Sequence, residues 1–146
     1  MRTRRNKARV NPSKKARKLR SVRRKPAREQ LLAVLRANLV LTKGEMLWLR
    51  RMRSGRTWKQ HARAMVVSEW AVRRWEQGIG ELPDVAPLTA DDLSFRELTA
   101  IHRRRRGIHM RELRDVFDKS LGWVHTACTG VSRRAAARVV DYILAS

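Results

Sequence analysis

The stretch Arg51 to Gly78, RMRSGRTWKQHARAMVVSEWAVRRWEQG, constrains the fold of this chain more than any other. It reads as two short helices joined by a tight turn. Thr57 is a natural cap for the first, whose inward positions are His61, Ala62 and Met65. A Val66-Val67 turn follows. Ser68 then caps a second helix, with Val72 and Trp75 facing inward at the i, i+3 spacing. Gly78 supplies the stop, because glycine tolerates the left-handed conformation that ends helices.

Around this unit the chain is strongly basic. Its 146 residues hold 35 Lys or Arg against 13 Asp or Glu, a formal net charge of +22, which predicts a polyanionic partner. Charge alone does not separate DNA from RNA or from an anionic membrane surface. The single cysteine, Cys128, excludes an intramolecular disulfide and fits a reducing compartment such as a cytoplasm. No apolar run approaches the roughly 18 residues needed to span a bilayer, so no membrane partner is expected. His102, His109 and His125 are too scattered for a zinc site, and no Ser-His-Asp or Cys-His arrangement is legible. Neither a metal, a cofactor nor catalysis is expected.

The expected organisation is all-α. Residues 1–25 carry 13 Lys or Arg and no acid, a block that self-repels and is expected to be a disordered basic arm. Pro26 marks a helix start, after which Leu31, Leu32, Leu35 and Leu39 share one face. A second helix over Lys43 to Ser54 has apolar coverage broad enough for contacts on two sides. Residues 26–80 then form one helical unit. Residues 81–93, with prolines and acids, read as a linker, and residues 94–146 form a second unit. That second unit repeats the first at an offset of 52: Arg51, Gly55, Ser68, Val72 and Gly78 match Arg103, Gly107, Ser120, Val124 and Gly130. The repeat is degenerate, since Arg114, Ala127 and Cys128 replace Ala62, Trp75 and Glu76. A last helix, Ser132 to Leu144, turns Val139, Val140, Ile143 and Leu144 inward.

The set Arg51, Gly55, Thr57, Ala62, Val67-Ser68 and Arg74-Trp75-Glu76-x-Gly78, in register and without gaps, resembles the Cro and lambda-repressor family of helix-turn-helix domains. Three positions depart from that pattern. Trp58 stands where the family has Gln, His61 where it has Leu, and Val66 where it has the turn Gly. The resemblance implies a compact multi-helix domain, two of them in tandem here, that binds double-stranded DNA as a transcriptional regulator, commonly a repressor. It also implies an ion pair between Arg51 and Glu76 that braces the helices, with Trp75 in the core.

On this reading the helix after Ser68 enters the major groove, and Glu69, Trp70, Arg73 and Arg74 face the bases. An arginine there can grip guanine, Glu69 can accept from cytosine, and Trp70 can meet a thymine methyl or a sugar. Thr57, Trp58, Lys59 and Ser68 lie at helix N-termini suited to phosphate, and the run Arg103, Arg104, Arg105 and Arg106 reads as a second phosphate-contacting patch or a solvated face. Without Glu at position 128 the second unit lacks the brace, so the first is the expected specific reader. The protein acts either as a homodimer or as a monomer using both units. The competing reading is an architectural protein that coats nucleic acid with little sequence preference.

Overall fold

The computed structural model describes residues 28–146, so the basic arm and Pro26 lie outside the described residues. These residues form α1 (residues 28–36), α2 (Lys43–Ser54), α3 (Trp58–Met65), α4 (Glu69–Glu76), a 3-10 turn (Ala90–Asp92), α5 (Phe95–Arg106), α6 (Met110–Phe117), α7 (Leu121–Thr129) and α8 (Arg133–Ala145). No strand occurs among the described residues, and the chain is all-α.

Local chemistry fixes the helix ends. The Thr42 hydroxyl accepts from the Glu45 amide while the Glu45 carboxylate accepts from the Thr42 amide, a reciprocal cap that satisfies two orphan donors. Thr57 with Gln60 and Ser94 with Glu97 repeat it. Between α3 and α4 the turn residue Val66 is β-branched, which disfavours the left-handed backbone that a turn glycine adopts. The structure gives the glycine geometry instead: Val66 adopts φ 57°, ψ 47°, and the Val67 amide closes the turn on the Ala62 carbonyl at 3.0 Å. A β-branched residue there costs about 1–2 kcal/mol, and Val66 is 90% exposed, so nothing of its side chain is buried in return.

The 52-residue repeat is carried in three dimensions. Helices α2, α3 and α4 begin at positions 43, 58 and 69, and α5, α6 and α7 begin at 95, 110 and 121. The left-handed residues follow the same offset: Gly55 and Gly107, Val66 and Asp118, Gly78 and Gly130. One register therefore sets two three-helix units.

The two units also face each other reciprocally. The Arg53 guanidinium pairs with Glu97 at 2.7 Å and donates to the Asp92 carbonyl at 2.9 Å. Arg105, 52 residues after Arg53, pairs with Glu45 at 2.7 Å and donates to the Val40 carbonyl at 2.6 Å. Each contact thus has a partner related by exchange of the units, the mark of a local two-fold arrangement. The first turn of α2 meets the last turn of α5 and the converse, so the two helices run antiparallel.

This packing corrects the expected boundaries. Leu35, Leu39, Leu41 and Leu49 share one core cluster with Leu93, Phe95, Leu98, Ile101, Ala136 and Val140, so residues 26–80 and 94–146 are not separately cored domains. The segment read as a linker over 81–93 ends inside that core, with Leu93 buried and Leu88 and Ala90 packed against it. Arg36 holds it by donating to the Ala90 and Leu93 carbonyls. His102 ties α1 to α5: its Nε2 lies 2.7 Å from the Leu35 carbonyl, which can only accept, so that nitrogen carries the proton.

The units differ in what covers them. Helix α8 packs on α5 and α7 and closes a second cluster of Ile108, Leu113, Val124, Ala127, Cys128, Ala135, Val139 and Ile143. The positions 52 residues before α8 are the extended 81–93 segment, so α4 has no covering helix. In its place Gly44 lets the end of α4 approach α2 closely. A Cβ at Gly44 would lie 2.9 Å from the Gly78 nitrogen and the Trp75 carbonyl oxygen.

Candidate nucleic-acid interface

The wedge of α3 and α4 is held by a polar brace rather than an apolar plug. Arg51 and Glu76 are both buried, and Arg51 Nε and Nη2 each donate to the Glu76 carboxylate at 2.8 Å. Trp58 joins them, its indole N–H donating to Glu76 Oε2 at 3.1 Å. The Trp58 ring also lies under the Arg51 guanidinium at 5.1 Å and the Arg73 guanidinium at 4.3 Å. The one donor of the Trp58 side chain is therefore spent on Glu76 and its ring supports Arg73, which leaves the backbone amide at the start of α3 as the group there for the expected phosphate contact. Lys59 beside it is exposed. The Thr57 and Ser68 hydroxyls accept from the Gln60 and Ala71 amides, so they serve as helix caps. Trp75 is only partly buried and Met65 is 37% exposed, so neither occupies the core as the helical spacing predicted.

The four residues expected to read bases fall on two adjacent stripes of α4. Glu69 and Arg73, one turn apart, form an ion pair at 2.7 Å. Trp70 and Arg74, also one turn apart, stack with the guanidinium 4.4 Å from the ring centroid. Trp70 is 63% exposed and Arg74 is half-buried, so the indole is the more open member of the stacked pair. Arg74 has no carboxylate partner among the described residues. Its planar fork of donors is therefore the group on this face most available to a new acceptor.

The run Arg103 to Arg106 is not a free basic patch. Arg104 donates to the Glu76 carbonyl at 2.6 Å and lies over the Trp48 ring at 4.9 Å; burial pushes its pKa below the usual arginine value. Arg105 is committed to Glu45 and Val40. Arg106 donates to the Ser146 carbonyl at 3.1 Å and reaches His102 Nδ1. The buried Nε of Arg103 has no hydrogen-bond partner among the described residues, because Cys128 stands where the first unit has Glu76. Arg104, Arg105 and Arg106 hold the two units and the C-terminus together. Helical charge runs read alike whether their partners are water or distant backbone carbonyls, so spacing alone does not reveal these bonds.

Arg53, Glu97 and Glu45 join the units although no motif marks them. Their signal was present as a repeat of charge at the 52-residue offset, Glu45 with Glu97 and Arg53 with Arg105. Burial opposes ionisation of both glutamates, but the arginine hydrogen bonds and cap amides outweigh it and hold both carboxyl pKa values below normal.

His61 occupies the place of a core residue, and its counterpart Leu113 is fully buried. Its Nδ1 is buried without a partner among the described residues. Burial first, then the Arg56 charge, hold its pKa below the ordinary 6.5. The unfolded chain therefore takes up a proton near pH 6.5 that the folded chain refuses, so stability falls as pH drops below that value. His61→Leu is expected to remove this fall. Comparing Tm at about pH 5.5 and about pH 7.5 for both proteins checks it, and an unchanged pH dependence in the variant counts against the assignment.

Among the described residues no group of three His, Cys, Asp or Glu is placed to hold a metal ion, and no helix is long and apolar enough to cross a membrane. Comparison with known protein families, curated proteins and solved structures finds no match to the chain.

Proposed function

We propose that the protein is a sequence-specific, double-stranded DNA-binding regulator that acts as a repressor by occupying its site. The observation that carries this reading is the α4 face: a short helix capped at Ser68, braced from behind by Arg51, Glu76 and Trp58, with an exposed Trp70 on which Arg74 is stacked. A net charge of +22 supplies the nonspecific attraction to a phosphate backbone. Arg74 reads guanine through two parallel hydrogen bonds, and Trp70 fills the adjoining apolar position. Arg73 and Glu69 neutralise each other, and with Arg73 held on Trp58 the pair is a fixed support beside the reading residues.

Selection of duplexes from a random pool at about 150 mM salt tests this, because nonspecific binding weakens steeply as salt rises. One enriched motif is expected. Arg74→Ala should then lose about 1–3 kcal/mol of preference at one base pair with little change in Tm. Equal weakening on every sequence would reject the base-reading role. The architectural alternative draws on the 13 basic residues in positions 1–25, and it requires all duplexes to be released together as salt rises.

A further inference from the structure

The second unit keeps the backbone of the first but not its reading chemistry. At the offset of 52, Glu69, Trp70, Arg73 and Arg74 become Leu121, Gly122, His125 and Thr126. Helix α7, Leu121–Thr129, contains no Asp, Glu, Lys or Arg. Residues 56–79 of the first unit hold five Lys or Arg against two acids, a net +3; the matching residues 108–131 hold three against three, a net of zero. Such a face lacks the fork of donors that grips guanine and the charge that draws in phosphate. The brace is lost with it, since Cys128 leaves the Arg103 Nε without a partner among the described residues.

The face that joins the units is nevertheless intact and reciprocal. Arg53 meets Glu97 and Asp92 as Arg105 meets Glu45 and Val40, and Leu41, Leu49, Leu93 and Ile101 lie buried in the same core. A two-fold interface of this kind uses the same patch on both partners. On the α2 side that patch is already covered by α5 of the same chain. A second copy therefore has no access to it.

We propose that one chain recognises one asymmetric DNA site, with α4 reading the single specified element and the α7 face reading none. The two-fold partner that a symmetric site requires is built into the chain with its reading face removed. This inference rests on the DNA-reading function proposed above.

The test uses the full chain. Duplexes selected from a random pool are sequenced, and the chain-to-duplex ratio on the enriched site is measured by native mass spectrometry. One motif without inverted symmetry, bound one chain per duplex, is expected. His125→Ala with Thr126→Ala, both exposed, should leave the motif unchanged and affinity within about two-fold, whereas Arg74→Ala should weaken binding to the motif about five-fold or more. An inverted repeat bound by two chains would overturn the asymmetric reading while leaving DNA recognition in place. A changed base preference in the α7 double variant would overturn it equally. No enriched motif at all would remove the DNA-reading function, and this inference with it.

Discussion

Glu76→Ala is expected to lower the unfolding free energy by about 3–5 kcal/mol, because it strands a buried arginine. Arg51 is 7% exposed, and Glu76 accepts its Nε and Nη2 together with the Trp58 indole N–H. Little else holds this wedge. Ala62 and Val72 are small, α4 has no covering helix, and the wedge relies on the brace, the close approach at Gly44 and the Arg104 bond to the Glu76 carbonyl. Removing both charges should be far milder. Arg51→Met with Glu76→Leu is expected within about 1–2 kcal/mol of the parent, since the desolvation of both ions is relieved together. Urea unfolding of the single and double variants measures the difference. A single variant no worse than the double would mean the pair is not buried as described. The second unit gives a control of opposite sign. Arg103→Met removes a buried donor that already lacks a partner among the described residues, and it should raise stability by about 1 kcal/mol.

The chain disclosed its helices well because their ends are written in side chains. Thr57, Ser68 and Ser120 cap the helices that follow them, and Gly55, Gly78, Gly107 and Gly130 take the left-handed conformation. The 52-residue repeat was legible for the same reason. Long-range pairing was not. Whether Trp58 points at solvent or at Glu76, and whether Arg104 meets phosphate or the Glu76 carbonyl, depends on how helices cross, and one-dimensional spacing carries no record of that. Met65 and Trp75 failed for a related reason: helical periodicity shows which face an apolar residue shares, while the missing cover over α4 determines how deeply that face is buried. The linker failed through composition. Prolines and acids mark the absence of helix over 81–89, but Leu88 packs against the core and Leu93, a few residues on, lies inside it.

Reversing both arginines of the inter-unit face, Arg53→Glu with Arg105→Glu, is expected to cost about 2–4 kcal/mol in total, from two lost charge-assisted pairs and two new like-charge contacts. The estimate is kept below that for a buried pair because the side chains are partly wet: Arg53 and Glu97 are 42% and 22% exposed, Arg105 and Glu45 35% and 10%. Each arginine also donates to a backbone carbonyl of the opposite unit, Asp92 or Val40, and glutamate cannot replace that bond. The exchange relation makes the effect divisible. If the two contacts are equivalent across the local two-fold, the single reversals should be of similar size, with Arg105→Glu the larger because Glu45 is the more buried partner. Restoring complementarity with Glu97→Arg in the Arg53→Glu background should recover only part of the loss, since Glu97 also closes the cap with Ser94. Guanidinium unfolding is unsuitable because its salt screens the charges under test, so urea at low ionic strength is the measurement. Near-zero effects from both single reversals would show that the apolar cluster alone joins the units. A large effect from only one would show that the arrangement is two-fold in backbone but not in energy.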